Sequence, residues 1–126
     1  MAAEVKNFDS PDETRPFEGK GQAQVVHLAG HDVGKGTFEA GWKWSHNVKP
    51  IAGTDSCQVA HFGYVLSGAM RIYMDDGSET LIEAGDVFAI PPGHDADVPG
   101  PDACVMVDFG EIGDYAKRAP DNPDRR

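Results

Sequence analysis

Seven side chains in this sequence are of types that bind transition metals or act as nucleophiles. They are the two cysteines and the five histidines: Cys57, Cys104, His27, His31, His46, His61 and His94. Imidazole nitrogen and thiolate sulfur suit zinc, iron, nickel or copper, whereas calcium and magnesium prefer oxygen ligands. Two cysteines are too few for a disulfide scaffold, so we interpret them as free thiols that are buried or metal-bound.

Position separates these candidates from one another. His27 and His31 lie near or beyond the end of the first predicted strand, beside glycines. We interpret them as exposed loop histidines and assign them no role in the site. Cys57 and His61 share a face of a predicted strand, with Cα atoms about 13 Å apart at roughly 3.3 Å per residue. That separation is long for two ligands of one ion, so a bend or a change of strand would be needed. The alternative interpretation is an inert core thiol and a hydrogen-bonded core histidine.

Short segments with strand character, bounded by glycine, proline or aspartate, would position these side chains. They cover residues 24–28, 36–44, 57–66, 69–74, 78–82, 86–90, 96–98 and 103–109. This spacing is typical of an all-β sandwich or barrel, and we find no amphipathic helix of useful length. The Asp-Gly pair at 76–77 predicts a hairpin. Both faces of 57–66 are largely apolar, which predicts a central strand covered on both sides.

Two glycine-containing patterns span the region from Cys57 to His94. The first is Cys57-x3-His61-x6-Gly68, and the second is Gly85-x5-Pro91-x-Gly93-His94. Together they resemble the two motifs of the cupin superfamily, G-x5-H-x-H-x3,4-E-x6-G and G-x5-P-x-G-x2-H-x3-N. With its flanks the resemblance covers residues 35–109. It implies a double-stranded β-helix, or jelly-roll barrel, whose hairpins are punctuated by Gly68, Gly77, Gly85 and Gly93.

The resemblance also implies a metal site, with departures from the family pattern. His61 stands where the family has its glutamate, Cys57 where it has the second histidine, and Asp55 where it has the first. Ala96 takes the place of the last histidine, but His94 precedes it by two residues and so shares its face. The implied ligands are Cys57, His61 and His94.

Other residues complete the implied site. If the first motif glycine is Gly41, then His46 falls near the first histidine position, and His46, His61 and His94 form an alternative metal set. Asp55 and the alternating apolar residues Met70, Ile72 and Met106 are predicted to line the ligand pocket, as in other cupin barrels.

The function implied by the resemblance is that of a small cupin that binds a divalent transition metal. It would act on a small molecule in the barrel by dioxygenation, isomerisation or lyase chemistry. The alternative is a non-catalytic small-molecule-binding or sensory cupin with a degenerate metal site. The sequence contains no phosphate loop, dinucleotide fingerprint or nucleophile elbow, so we expect no nucleotide cofactor and assign no catalytic residue.

Length and composition bound the remaining possibilities. The chain has 126 residues and a formal net charge of −10, which predicts one domain and argues against nucleic-acid or membrane partners. The first twenty residues lack a secretory signal, so we expect a cytoplasmic protein. We divide the chain into an extended N-terminal arm (1–20), a barrel domain (21–113) and a short C-terminal turn with a frayed tail (114–126). The resemblance to small cupins also implies a homodimer, and the apolar arm residues Val5, Phe8 and Phe17 would suit a contact between the two copies.

Overall fold

The computed structural model describes residues 2–110 and 112–118, and in that part of the chain it contains nine strands and two one-turn helices. The strands are β1 (Glu13–Pro16), β2 (Gly21–Leu28), β3 (His31–Phe38), β4 (His61–Ser67), β5 (Ala69–Met74), β6 (Glu79–Glu83), β7 (Val87–Ile90), β8 (His94–Asp97) and β9 (Cys104–Asp108). The helices, α1 (Trp44–Asn47) and α2 (Lys49–Ala52), connect β3 to β4.

The strands form two antiparallel sheets around one core. The larger sheet has the order β1-β2-β3-β9-β4-β7, and the smaller sheet has the order β6-β5-β8. A single apolar cluster draws on both sheets, for example through Val65 of β4 and Ile72 of β5, which are 0% and 3% exposed. The prediction of an all-β double-sheet barrel is confirmed.

The first hairpin differs from the prediction. β2 and β3 pair along their whole length, from Gly21 opposite Phe38 to Leu28 opposite His31. His31 therefore begins a strand, although its polar, glycine-containing sequence lacks the alternation that marks one. The strand predicted over 36–44 is wrong beyond Phe38, because the chain there turns into α1 and buries Trp44 in the core.

The strand predicted over 57–66 also needs correction. β4 begins only at His61, and residues 58–60 have no regular secondary structure. β4 is central in the larger sheet, between β9 and β7, but only one of its faces is buried. On the other face Phe62 and Leu66 are 56% and 47% exposed, so the expected cover on both sides is absent from the described protomer.

Glycine marks the turns between consecutive strands from β4 to β8. Gly68, Gly77, Gly85 and Gly93 each lie in one of these turns with φ between 76° and 93°, the left-handed region that disfavours side chains. At Gly68 a Cβ atom would also overlap the backbone carbonyl of Ala103. The turn positions predicted from these four glycines are confirmed, but of the four only Gly77 joins two strands that pair as a hairpin, β5 and β6. Gly68, Gly85 and Gly93 lie in turns that carry the chain from one sheet to the other, so the hairpins predicted there are wrong.

Both chain ends pack on the barrel where the structure describes them. The arm predicted over 1–20 contains β1, which pairs with β2, and Phe17, which is 4% exposed in the core and so is not available for the dimer contact we expected. Val5 is exposed and Phe8 half-buried. Residues 112–118 form turns over the barrel, and the part of the predicted C-terminal turn and tail (114–126) that follows residue 118 lies outside the described residues. No helix among the described residues has the length and apolarity to cross a membrane.

Candidate metal centre

Three of the predicted ligands meet at one end of the barrel. One donor atom each from Cys57, His61 and His94 lies within 4.8 Å of the other two. The backbone explains how they converge, because Cys57 donates its N–H to the carbonyl of His94 at 2.7 Å in a bridge to the start of β8. His61 begins β4 beside β7, opposite Ile90.

The bend at residues 58–60 removes the distance problem raised by the sequence. On a continuous strand Cys57 and His61 would be too far apart, but Cys57 Sγ lies 3.7 Å from His61 Nε2. The rings of His61 and His94 meet edge to face, with centroids 5.4 Å apart. The three side chains therefore form one cluster, of which Cys57 and His94 are 2% and 3% exposed.

Each imidazole is oriented through its Nδ1 atom. His61 Nδ1 donates to Asp108 Oδ2 at 2.5 Å, and the backbone N–H of Gly110 donates to the other oxygen of that carboxylate at 2.9 Å. His94 Nδ1 donates to the carbonyl oxygen of Pro91 at 2.9 Å. In both rings Nε2 is then the nitrogen left to accept a proton or bind a metal. Carboxylate and carbonyl partners of this kind fix the tautomer of metal-binding histidines.

The cluster is strongly polarised. Burial opposes the charged form of Cys57, but hydrogen bonds from His61 and His94 outweigh it and lower the pKa of the thiol to about 6. Burial likewise disfavours charge on His61, but Asp108 and then Cys57 raise the pKa of the imidazole to about 9. In the metal-free site a thiolate therefore faces an imidazolium at neutral pH. By contrast, burial alone raises the pKa of Cys104 to about 11.

Two cavities adjoin the cluster. The inner cavity lies within the barrel, encloses about 50 Å³, and has His61 and His94 in its wall. The outer groove holds about 520 Å³ between α2, the loop 54–59 and residues 114–118, and Cys57 lies in its wall. Trp44 and Tyr115 line both spaces and so separate them. The cluster thus stands between the barrel interior and the outer surface.

The other predicted site residues fall into two groups. Met70, Ile72 and Met106 all line the inner cavity. His46 is exposed on α1 and does not join the cluster. Asp55 is fully exposed and lies 3.9 Å from Lys49 in a surface ion pair, away from either cavity wall.

Two residues of the site were missed in the sequence. Asp108 shares the inward face of β9 with Cys104 and Met106, and a carboxylate on an inward face is itself a signal of a buried partner. Tyr115 packs edge-on against His61, with ring centroids 5.1 Å apart. It comes from a segment whose pattern predicts only a short turn, so nothing local marks it as part of the site.

Comparisons with known proteins concern the fold that carries this cluster. The family model described as the cupin domain matches residues 55–110. A search of the curated proteins finds no match.

Solved structures share the fold at low sequence identity. KdgF from Halomonas sp. is 20% identical with a TM-score of 0.58, and the match covers 100% of both chains. A sugar phosphate isomerase of the cupin superfamily from Silicibacter pomeroyi is 18% identical with a TM-score of 0.59, over 82% of this chain and 73% of that one. An RmlC-like cupin from Shewanella frigidimarina is 18% identical with a TM-score of 0.57, over 90% and 96%. Residues 55–110 of this chain thus match the cupin domain, and the chain shares the fold of these cupin structures.

Proposed function

We propose that this cupin binds a divalent transition metal through Cys57, His61 and His94 and acts with it on a small molecule in the barrel. The observation that carries the proposal is the convergence of the three donor atoms within 4.8 Å. Both histidines already present Nε2, because their Nδ1 atoms are held by Asp108 and by the Pro91 carbonyl. One thiolate and two neutral imidazoles suit zinc, iron, nickel or copper.

The chemistry of the donor set fits a reactive centre better than a purely structural one. Structural zinc sites use four protein ligands, whereas three protein ligands leave one position open. When bound, such a metal would act as a Lewis acid on an oxygen of the small molecule, as in metal-dependent isomerase and lyase reactions, whereas dioxygenation would need iron or copper. The chain itself supplies the orientation of the two imidazoles and the apolar walls that exclude water.

The walls of the inner cavity indicate what kind of molecule would fit. They are largely apolar, with Phe38, Met70 and Met106 among them. Trp42 and Trp44 also line this cavity, and their indole N–H groups are buried with no hydrogen-bond partner among the described residues. Because an unpaired buried donor is costly, a ligand with an oxygen acceptor would recover that energy. We therefore propose a small organic molecule that carries hydroxyl, carbonyl or carboxylate oxygen.

The test is metal binding by the purified protein and by variants of each ligand. We expect near-stoichiometric zinc, iron, nickel or copper by elemental analysis, and loss of that metal in His61→Ala and His94→Ala. His46→Ala is the matched control, because His46 is exposed and outside the cluster, and it should keep the metal. Less than about a tenth of an equivalent of every transition metal, after incubation with each, would overturn the proposal and favour a metal-free binding cupin.

We also propose that a second copy of this chain covers the outer face of β4. Phe62, Tyr64 and Leu66 project from that face and are 56%, 39% and 47% exposed. Contiguous apolar surface of this kind marks interfaces, and two copies with a net charge of −10 associate best through uncharged surface. We expect a dimer by light scattering and a monomer for Phe62→Glu. Leu81→Glu, on the other sheet, is the control and should stay dimeric, whereas a monomeric parent protein would refute the pairing.

A further inference from the structure

Residues 112–118, which we call the C-terminal segment, close the barrel beside the metal site. Ile112 and Ala116 are buried and Tyr115 is half-buried, although all three lie near the end of the described chain. Ile112 packs on β3 at Gly34, where an added Cβ would come within 2.8 Å of Ile112 Cδ1. Tyr115 stacks edge-on against His61 and Phe17, at centroid distances of 5.1 and 6.3 Å. The segment thus fills space that the barrel strands leave open.

A buried arginine holds this segment in place. Arg15 on β1 is 5% exposed, and its Nη1 donates to the carbonyls of Gly113 at 2.8 Å and Tyr115 at 3.0 Å. The carboxylate of Glu13 accepts from Nε and Nη2 of the same guanidinium. A buried charge needs such partners, and here two of them are backbone carbonyls of the C-terminal segment. Arg118 adds an exposed ion pair to Glu18 at 2.5 Å.

The volume inside the barrel is too small for an organic substrate while the segment is in place. The inner cavity encloses about 50 Å³, whereas sites for small molecules measure roughly 300–1,000 Å³. The outer groove alone, at about 520 Å³, is of that size. Trp44 and Tyr115 lie between the two spaces. Of these two residues, Tyr115 belongs to the C-terminal segment.

We propose that the ligand-binding site is the inner cavity joined to the outer groove, and that the C-terminal segment is its lid. Tyr115 is the gate, since its ring occupies the space beside His61 that a ligand must enter. Arg15 is the latch, because it ties the lid to β1. The ligand enters from the groove side, past Cys57, and is an organic molecule larger than the closed cavity. The proposal follows from the shape of the barrel and holds with or without a bound metal.

Tryptophan fluorescence tests the lid directly. The chain has two tryptophans, Trp42 and Trp44, and both lie in the wall of the inner cavity at 2% exposure. Quenching by acrylamide, a small neutral molecule, therefore reports access to the cavity. We expect weak quenching of the parent protein. Tyr115→Ala should raise the Stern–Volmer constant severalfold by emptying the gate, and Arg15→Met should raise it by releasing the lid.

Two controls separate a lid from general loosening. Tyr115→Phe keeps the ring and should quench as the parent protein does. Arg71→Met removes an arginine from β5, in the smaller sheet rather than the sheet that contains Arg15, and should also leave quenching unchanged. Thermal melts identify any variant that has unfolded, and the two lid variants, at different residues, provide independent tests. The proposal would be overturned if both lid variants were folded and had the same Stern–Volmer constant as the parent protein. It would also be overturned if the folded parent protein were quenched as strongly as the parent protein in denaturant.

Discussion

The thiol of Cys57 should ionise about three pH units below an ordinary cysteine in the metal-free protein. Its pKa falls from 9.0 to about 6 because hydrogen bonds from His61 and His94 outweigh the cost of burial. At pH 7 a pKa of about 6 corresponds to roughly 90% thiolate, compared with about 1% at the ordinary value. The site should therefore hold a thiolate before any metal arrives, and the proton released on metal binding near neutral pH would come from Nε2 of His61 and not from the thiol.

Ultraviolet absorbance of the thiolate measures this ionisation in chelator-treated protein. The second cysteine does not interfere, since burial raises the pKa of Cys104 to about 11. We expect one thiolate transition near pH 6, which Cys57→Ser abolishes. Asp108→Asn should move that transition to higher pH, because the lost carboxylate is the main group that keeps His61 protonated.

Stability should respond to pH quite differently from the thiolate signal. His61 has a raised pKa, so its contribution to the free energy of unfolding is full below pH 6.5 and is lost as pH rises through about 9. Cys57 has a lowered pKa, so its contribution is full above pH 9.0 and is lost as pH falls through about 6. Between these limits the pair holds one proton in both the folded and the unfolded chain, and the two dependences cancel.

The cancellation of the two pH dependences can be tested with variants of Cys57 and Asp108. In denaturant titrations of the metal-free protein, the free energy of unfolding should show no pH-dependent step between pH 6.5 and 9 that disappears in Cys57→Ser. A thiolate transition near pH 9 in the parent protein would refute the ion pair. If Asp108→Asn leaves the pH midpoint of the thiolate transition unchanged, then the carboxylate does not act on Cys57 through His61.

Three further predictions concern packing and surface charge. Ile72→Ala should lower the free energy of unfolding by about 2–5 kcal/mol in denaturant titrations, because Ile72 is 3% exposed in the core. The control Leu81→Ala, at a residue that is 44% exposed, should lower it by less than about 1.5 kcal/mol. Gly63→Ala should lower the melting temperature sharply, since its Cβ would overlap the Val107 carbonyl across the sheet. The pKa of His27 is raised above 6.5 chiefly by its hydrogen bond to Asp32, so its stabilising effect is present below pH 6.5 and fades as pH rises through the raised value. Asp32→Asn should bring that pKa down in an NMR titration, and no change would contradict the assignment.

The parts of the fold that the sequence predicts are those fixed by local chemistry. Gly68, Gly77, Gly85 and Gly93 mark turns because few other residues adopt their backbone conformation. The strands between them are short and alternate in polarity, so their positions follow to within a residue or two for β5, β6 and β7. The first part of β3, residues 31–35, is not predicted, because its polar, glycine-containing sequence lacks the alternation that marks a strand.

The site was only partly predictable, because its geometry depends on contacts that are distant in sequence. Cys57 and His61 were singled out by residue type and motif spacing, but their approach to 3.7 Å depends on a backbone bridge from Cys57 to His94. Tyr115 contacts His61, and its carbonyl accepts a hydrogen bond from Arg15, a hundred residues earlier. No pattern within a short window can encode such a contact.

Inward-facing charge is the signal that links the fold to its function here. Asp108 lies on a strand face otherwise occupied by Cys104 and Met106, and Arg15 lies within an edge strand at 5% exposure. A sheet gains nothing from burying either charge alone, since each loses hydration that only a matched partner restores. The partner of Asp108 is a histidine of the candidate metal centre, and the partners of Arg15 include the carbonyls of the proposed lid. The two buried charges that the core does not need therefore identify the two parts of the molecule that we expect to act on a ligand.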